Sequence, residues 1–171
     1  WSVFGKLDAV FWMVSSAFGI SITTFVGQNY GARKNGRIRK ITRVSLGIDF
    51  LVSAALVVFL IAARVPLFRL FTTDTEVIRI GTEMLLQVTP WYITFVFIEI
   101  LSGSLRGIGD VIIPMIITLC GVCLLRVLWI VGALKIQPTI SAIIFSYPIT
   151  WIMTSILFIC YYFYRIKKMK I

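Results

Sequence analysis

Long apolar stretches separated by short polar ones dominate this sequence. Five runs hold few or no charged residues, and each is close to the roughly 20 residues that a helix needs to cross a hydrocarbon core of about 30 Å. They cover residues 8–28, 44–64, 84–105, 111–134 and 140–164. The runs are too long and too continuous for barrel strands. The pattern therefore predicts one all-α transmembrane domain over 1–171, a polytopic membrane helix bundle of about five transmembrane helices.

The composition agrees with a membrane protein. Of the 171 residues, 59% are hydrophobic and 14% are charged, whereas soluble domains usually carry about 25% charged residues. A fold of this size leaves too much of its surface in water to hide so many apolar side chains. The net charge of +10 does not predict nucleic-acid binding, because the basic residues form short clusters between apolar runs and not a groove-reading surface.

The basic residues are concentrated in connections that an alternating five-helix topology places on one side. Residues 29–43 hold six Lys or Arg and no acid, residues 106–110 hold one, and the C-terminal tail holds four, eleven of the seventeen in all. The positive-inside rule then predicts a multi-pass protein of the cell membrane whose loop 29–43 and C-terminus are cytoplasmic. On the opposite, outer side of the membrane, Thr73 and Glu76 have the spacing of a capping box, which predicts a short helix there.

Charged residues inside the predicted helices are candidates for function. A charged side chain near the middle of a membrane helix costs about 2.5–3.5 kcal/mol on insertion scales. Glu99 is therefore expected to bind the coupling ion, a proton or sodium, or else to form a structural ion pair with Arg106 or Arg126. Arg126 is expected to bond to a carboxylate or to backbone carbonyls. Asp49 lies near the predicted start of its helix and could be solvated.

Residues that commonly carry catalysis or bind metals are scarce. Histidine is absent, which removes the commonest general base and metal ligand. Cys120 and Cys123 form a C-x-x-C within an apolar run, whereas redox or metal chemistry needs exposed thiolates. We predict a protein that is not an enzyme and that has no metal site and no cofactor beyond a coupling ion.

Aromatic residues within the apolar runs have two interpretations. Many will anchor the helices at the membrane interfaces. Trp91, Phe95 and Tyr147 could instead line a cavity for flat cationic compounds through stacking and cation–π contacts.

Two segments resemble the multidrug and toxic compound extrusion (MATE) family. Residues Phe25–Ala32, with the basic run to Arg39, resemble the loop after the second helix of each lobe. Ser102–Asp110, followed by 113–115, resembles the turn between helices ten and eleven, and Arg126 lies where the family often has an arginine in helix eleven. The motif residues are Gln28, Asn29, Gly31, Gly103, Gly107, Gly109 and Asp110.

The resemblance implies a twelve-helix exporter with two six-helix lobes, of which this chain would supply helices eight to twelve, a partial six-helix lobe at the C-terminal end. Since the chain opens at Trp1 without an initiator Met, we expect an upstream part to be missing. The implied partners are the N-terminal lobe of the same protein, membrane lipid, and small organic substrates that are often cationic. Some sodium-linked members carry an acid about one turn before Glu99, where this chain has Phe95.

The implied function is a secondary active multidrug exporter, a cation-coupled antiporter that alternates access between two lobes. Two alternatives remain at this point. One is a lipid-linked oligosaccharide flippase of a related two-lobe fold, which would need cationic residues in its cavity. The other is a non-transporting membrane remnant.

Overall fold

A computed structural model of the protein describes residues 2–136 and 144–168. This part of the chain is helical apart from short turns and contains no strand. The helices are α1 (Ser2–Gly31), α2 (Asn35–Ala62), α3 (Arg64–Arg69), α4 (Thr75–Val88), α5 (Tyr92–Gly107), α6 (Ile112–Thr118), α7 (Leu125–Ile136) and α8 (Ser146–Lys168). A 3₁₀ turn, Thr89–Trp91, joins α4 to α5, and a π-helical turn, Leu119–Leu124, joins α6 to α7.

Five continuous helical stretches within the described residues are long and apolar enough to cross a membrane. They are Val3–Gly31, Asn35–Ala62, Thr75–Gly107, Ile112–Ala133 and Ser146–Lys168. The prediction of an all-α membrane bundle of about five helices is confirmed. The second stretch begins at Asn35, before the predicted residue 44, because Lys and Arg have good helix propensity and the basic residues extend the helix. The start of the predicted run 140–164 lies outside the described residues.

The predicted capping box is wrong by one residue. Asp74, and not Thr73, caps α4, and its Oδ1 accepts hydrogen bonds from the backbone N–H groups of Glu76 at 2.9 Å and Val77 at 3.3 Å. A carboxylate at this position satisfies free N–H groups and interacts favourably with the positive end of the helix dipole.

The central helix of the bundle is α5. It packs against α1, α2 and α8. Half of the residues in the most apolar window of the Thr75–Gly107 stretch are buried, compared with 6% for Ile112–Ala133. The α6–α7 stretch therefore lies at the periphery, and α5 holds the other long helices together.

Small residues at four-residue spacing let α1 and α5 approach until their backbones touch. Gly19, Thr23 and Gly27 lie on α1, opposite Gly103 and Gly107 on α5. A Cβ added at Gly103 would lie 2.9 Å from the carbonyl oxygen of Gly19, and one at Gly107 would lie 2.8 Å from that of Thr23. The Thr23 hydroxyl lies 3.1 Å from the Gly103 carbonyl oxygen. This close approach is the way membrane helices pack when small residues share a face.

Polar contacts join three helices at the basic end of the bundle. The hydroxyls of Thr42 on α2 and Ser104 on α5 lie 2.9 Å apart. Asp110, just after α5, accepts hydrogen bonds from the Tyr161 hydroxyl at 2.6 Å and from Arg165 Nε at 2.9 Å, both on α8. The start of α2, the end of α5 and the end of α8 are thereby held together.

Replacing Gly103 by Ala should destabilise the bundle. Overpacking costs about 1–3 kcal/mol, which exceeds the gain of about 1 kcal/mol in helix propensity that accompanies a Gly-to-Ala change. Thermal unfolding of the purified protein in detergent, followed by circular dichroism, should show a melting temperature several degrees lower. Gly47→Ala on α2 is the matched control, because a Cβ there meets nothing within 4 Å. Equal melting temperatures for both variants would contradict the close approach.

Candidate functional site

Glu99 lies in the interface between α5 and α1. Its position is one turn before Gly103, on the face that packs against α1, and its side chain is 19% exposed. A Cβ added at Gly19 of α1 would overlap the Oε1 atom of Glu99. The absence of a side chain at Gly19 therefore makes the space that the carboxylate occupies.

The ion pair that Glu99 forms is a long one. Arg106 Nη2 lies 3.5 Å from Glu99 Oε1, and the Arg106 side chain is 42% exposed. Charge-assisted hydrogen bonds are usually about 2.7–2.9 Å long. Of the two cations predicted as structural partners, the structure brings Arg106 to Glu99, and no ion pair within the described residues joins Glu99 to Arg126.

Asp49 is a second carboxylate inside the bundle, and the suggestion that it could be solvated is wrong. The residue is completely buried. Because α2 begins at Asn35, Asp49 lies roughly four turns inside the helix. Its Oδ1 accepts a hydrogen bond from the Ser53 hydroxyl at 3.2 Å, while Oδ2 has no hydrogen-bond partner in the part of the chain that the structure describes.

Arg126 is held by an aromatic ring and a hydroxyl. Its guanidinium carbon lies 4.2 Å from the ring centroid of Tyr147, and Nη2 donates a hydrogen bond to the Thr150 hydroxyl at 3.3 Å. These partners, within the described residues, differ from the carboxylate or carbonyl groups that we predicted. A desolvated cation–π contact contributes about 2 kcal/mol, which compensates for part of the cost of placing the cation in an apolar helix.

The three predicted substrate contacts do not form one group. Phe95 packs edge-on against Trp12, with ring centroids 4.5 Å apart, and lies 6.0 Å from Trp151. Tyr147 also contacts Trp151, at 5.6 Å. Trp91 is 37% exposed and takes part in none of these ring contacts. Phe95 and Tyr147 thus meet at the same tryptophan, whereas Trp91 lies apart.

Asp8 is a structural residue that the sequence interpretation missed. Its Oδ2 accepts a hydrogen bond from Trp12 Nε1 at 2.7 Å, and its Oδ1 accepts one from the Tyr92 hydroxyl. The contact ties the start of α1 to the start of α5. The four-residue spacing between Asp8 and Trp12 was a visible signal, but the partner on α5 was not, since it lies far away in the sequence.

The first motif forms the end of α1. Gln28 and Asn29 are in the last turns, and Gly31 is the final helical residue. The N–H of Lys34 donates to the carbonyl of Asn29 at 2.9 Å, and Arg33 takes the left-handed conformation, with φ of +57°. This arrangement provides hydrogen-bond donors for carbonyl groups at the end of α1 and reverses the direction of the chain.

The second motif combines a packing surface with a turn. Gly103 and Gly107 lie inside α5 and contact α1, whereas Gly109 follows the helix with φ of +85°. The N–H of Asp110 donates to the carbonyl of Leu105 at 3.0 Å, which closes the turn. The spacing of the glycines therefore serves two purposes, since only Gly109 needs the backbone freedom of glycine.

No group of three His, Cys, Asp or Glu side chains that could hold a metal ion occurs among residues 2–136 and 144–168. Cys120, Cys123 and Cys160 are free and exposed.

Comparison with known proteins places this arrangement in a family. The model of the MatE family matches residues 2–131. The probable multidrug resistance protein NorM of Thermotoga maritima is 35% identical over 107 residues, which cover 60% of this chain and 22% of that protein. Human multidrug and toxin extrusion protein 1 is 30% identical over 124 residues, or 70% of this chain and 21% of that protein. The probable multidrug resistance protein YoeA of Bacillus subtilis is 27% identical over 63% of this chain and 23% of its own length.

The matched part of the chain spans less than a quarter of the length of these relatives. A solved structure of a multidrug resistance MATE family transporter in an inward-facing conformation superposes with a TM-score of 0.79 and 16% identity. The superposition covers 96% of this chain and 40% of that transporter, so the two share a fold. Because the family model covers most of the sequence, the chain belongs to the MatE family, the multidrug and toxic compound extrusion proteins that its two motifs resemble.

Proposed function

We propose that this chain is the part of a secondary active multidrug exporter that comprises helices eight to twelve, most of the C-terminal lobe. The exporter would exchange a proton or sodium ion for organic cations and other toxic compounds. Membership of the family supports this proposal, as do relatives named for multidrug resistance and toxin extrusion. The superposition on 40% of a transporter chain is in keeping with five helices out of twelve.

The observation that carries the proposal is the presence of two carboxylates inside the bundle: Asp49, which is completely buried, and Glu99, whose side chain is 19% exposed. Among the described residues neither carboxylate has a short ion pair: Arg106 approaches Glu99 to 3.5 Å, and Asp49 Oδ2 has no hydrogen-bond partner. A carboxylate in an apolar helix bundle is costly unless a proton or a cation neutralises it. Such a site must hold an ion while it is closed to water and can release the ion once water enters. Ion binding is thereby coupled to a change of conformation.

For the substrate, the proposal assigns Trp91, Phe95 and Tyr147 as contacts for flat organic cations. Arg126 lies against the ring of Tyr147, so a substrate would meet the ring edge or its other face. A lipid-linked oligosaccharide flippase is less well supported, because Arg126, the cation well inside the helices, is already engaged by Tyr147 and Thr150. A membrane remnant without transport activity would give no reason for two carboxylates without short ion pairs.

Neutralising Glu99 should uncouple efflux. In cells that produce the full-length protein, Glu99→Gln should reduce ethidium efflux by about tenfold or more, which is within the usual range of coupling between two sites. Asp49→Asn should reduce it in the same direction, because it removes the second carboxylate. Efflux is measured by fluorescence at equal membrane abundance, and unchanged efflux in Glu99→Gln would contradict the coupling proposal.

Displacing the Glu99 carboxylate without removing it should also reduce efflux. Gly19→Ala places a Cβ on the Glu99 Oε1 position, so efflux should fall while the protein keeps both carboxylates. Gly5→Ala on the same helix is the control, because its Cβ meets nothing within 4 Å. Equal efflux in the two alanine variants would show that the position of the carboxylate in the interface does not matter.

The proposal places loop 29–43 and the C-terminus in the cytoplasm. In a background without the three native cysteines, Thr73→Cys between α3 and α4 should react with a membrane-impermeant maleimide on intact cells. Lys34→Cys should react only after permeabilisation, because positively charged loops stay on the cytoplasmic side. The reverse labelling pattern would contradict the orientation.

A further inference from the structure

A groove with a basic end lies between α2 and α8, and α5 forms its floor. Its volume is about 520 Å³. Leu46 of α2, Leu101 of α5 and Ile166 of α8 are among the apolar side chains that line it. Such a lining fits hydrocarbon, and the groove sits where the three helices reach the basic end of the bundle.

Three cations line the same groove. Arg39 and Arg43 come from α2, and Lys167 comes from α8. The lining contains no Asp or Glu, and none of the three cations forms an ion pair with a described residue. Two helices thus bring positive charge to one apolar groove. A ligand with both a negative group and an apolar part would be complementary to it.

We propose that the groove binds one anionic phospholipid of the leaflet at the basic end of the bundle. The headgroup phosphate lies between Arg39, Arg43 and Lys167, and an acyl chain covers the apolar lining. Basic pockets between membrane helices on the cytoplasmic side are suited to such headgroups. A free phosphate ion would satisfy the cations and leave the apolar lining uncovered. This site is separate from the proposed ion-coupling pair.

Native mass spectrometry tests the proposal on the full-length protein released from nanodiscs of mixed phosphatidylglycerol and phosphatidylcholine. The wild-type protein should retain one phosphatidylglycerol. The double variant Arg39→Gln, Arg43→Gln should retain it about 30-fold less, from the usual contribution of two basic groups near anionic lipid. Arg37→Gln with Lys40→Gln removes the same charge from α2 outside the groove and should retain the lipid. If both double variants lost the lipid equally, general surface charge would explain retention, and the proposed site would be wrong.

Two further comparisons identify the occupant. Soluble glycerol 3-phosphate at the same concentration should fail to displace the lipid, and displacement would favour a phosphate site over a lipid site. Equal retention of phosphatidylcholine would show that the cations play no part.

Photocrosslinking tests lipid binding in the groove on the wild-type protein, without any substitution. Phosphatidylglycerol with a diazirine in one acyl chain should label peptides from α2, α5 and α8 that line the groove in the wild-type protein. Unlabelled phosphatidylglycerol should suppress this labelling, and phosphatidylcholine should not. Absence of labelling at these peptides would show that another part of the protein fills the groove, which overturns the proposal.

Discussion

The contact between the backbones of α1 and α5 is the constraint on which the rest of this structure depends. Lipid tails are as apolar as the side chains that face them, so burial of apolar surface does little to hold membrane helices together, and close packing must do it. Without Cβ atoms at Gly103 and Gly107, the two helices meet along more than two turns. The same approach brings Tyr92 to Asp8 at one end and places Glu99 against Gly19.

The charged groups inside the bundle differ in how well they are neutralised, and this difference separates structural from functional candidates. Asp110 accepts short hydrogen bonds from Arg165 and Tyr161. These two contacts are enough to explain a structural role for its carboxylate. Arg126 is covered by an aromatic ring. Glu99 and Asp49 are less well compensated: Glu99 has a long ion pair to Arg106, and one oxygen of Asp49 has no partner among the described residues. The proposed function accounts for this difference, because a coupling ion would bind to these carboxylates and leave them again.

Much of the fold could be predicted from the sequence, because long apolar runs and basic connections are local signals. The family resemblance rested on local motifs too, and its glycines turned out to be helix contacts at Gly103 and Gly107 and a turn at Gly109. Burial of Asp49 was not predictable, since it followed from basic residues joining α2 and from helices far away in the sequence. The partners of Arg126 were missed for the same reason, because an aromatic face can replace a carboxylate.

Side chains of increasing size at Gly107 test the central contact most directly. A Cβ there would lie 2.8 Å from the Thr23 carbonyl oxygen and 2.8 Å from the Val26 Cβ. Gly107→Ala and then Gly107→Leu should therefore lower the melting temperature of the purified protein step by step. The same two changes at Gly47 of α2, where a Cβ meets nothing within 4 Å, should leave the melting temperature unchanged or raise it. If the Gly107 variants melt like the Gly47 variants, α1 and α5 do not meet as described.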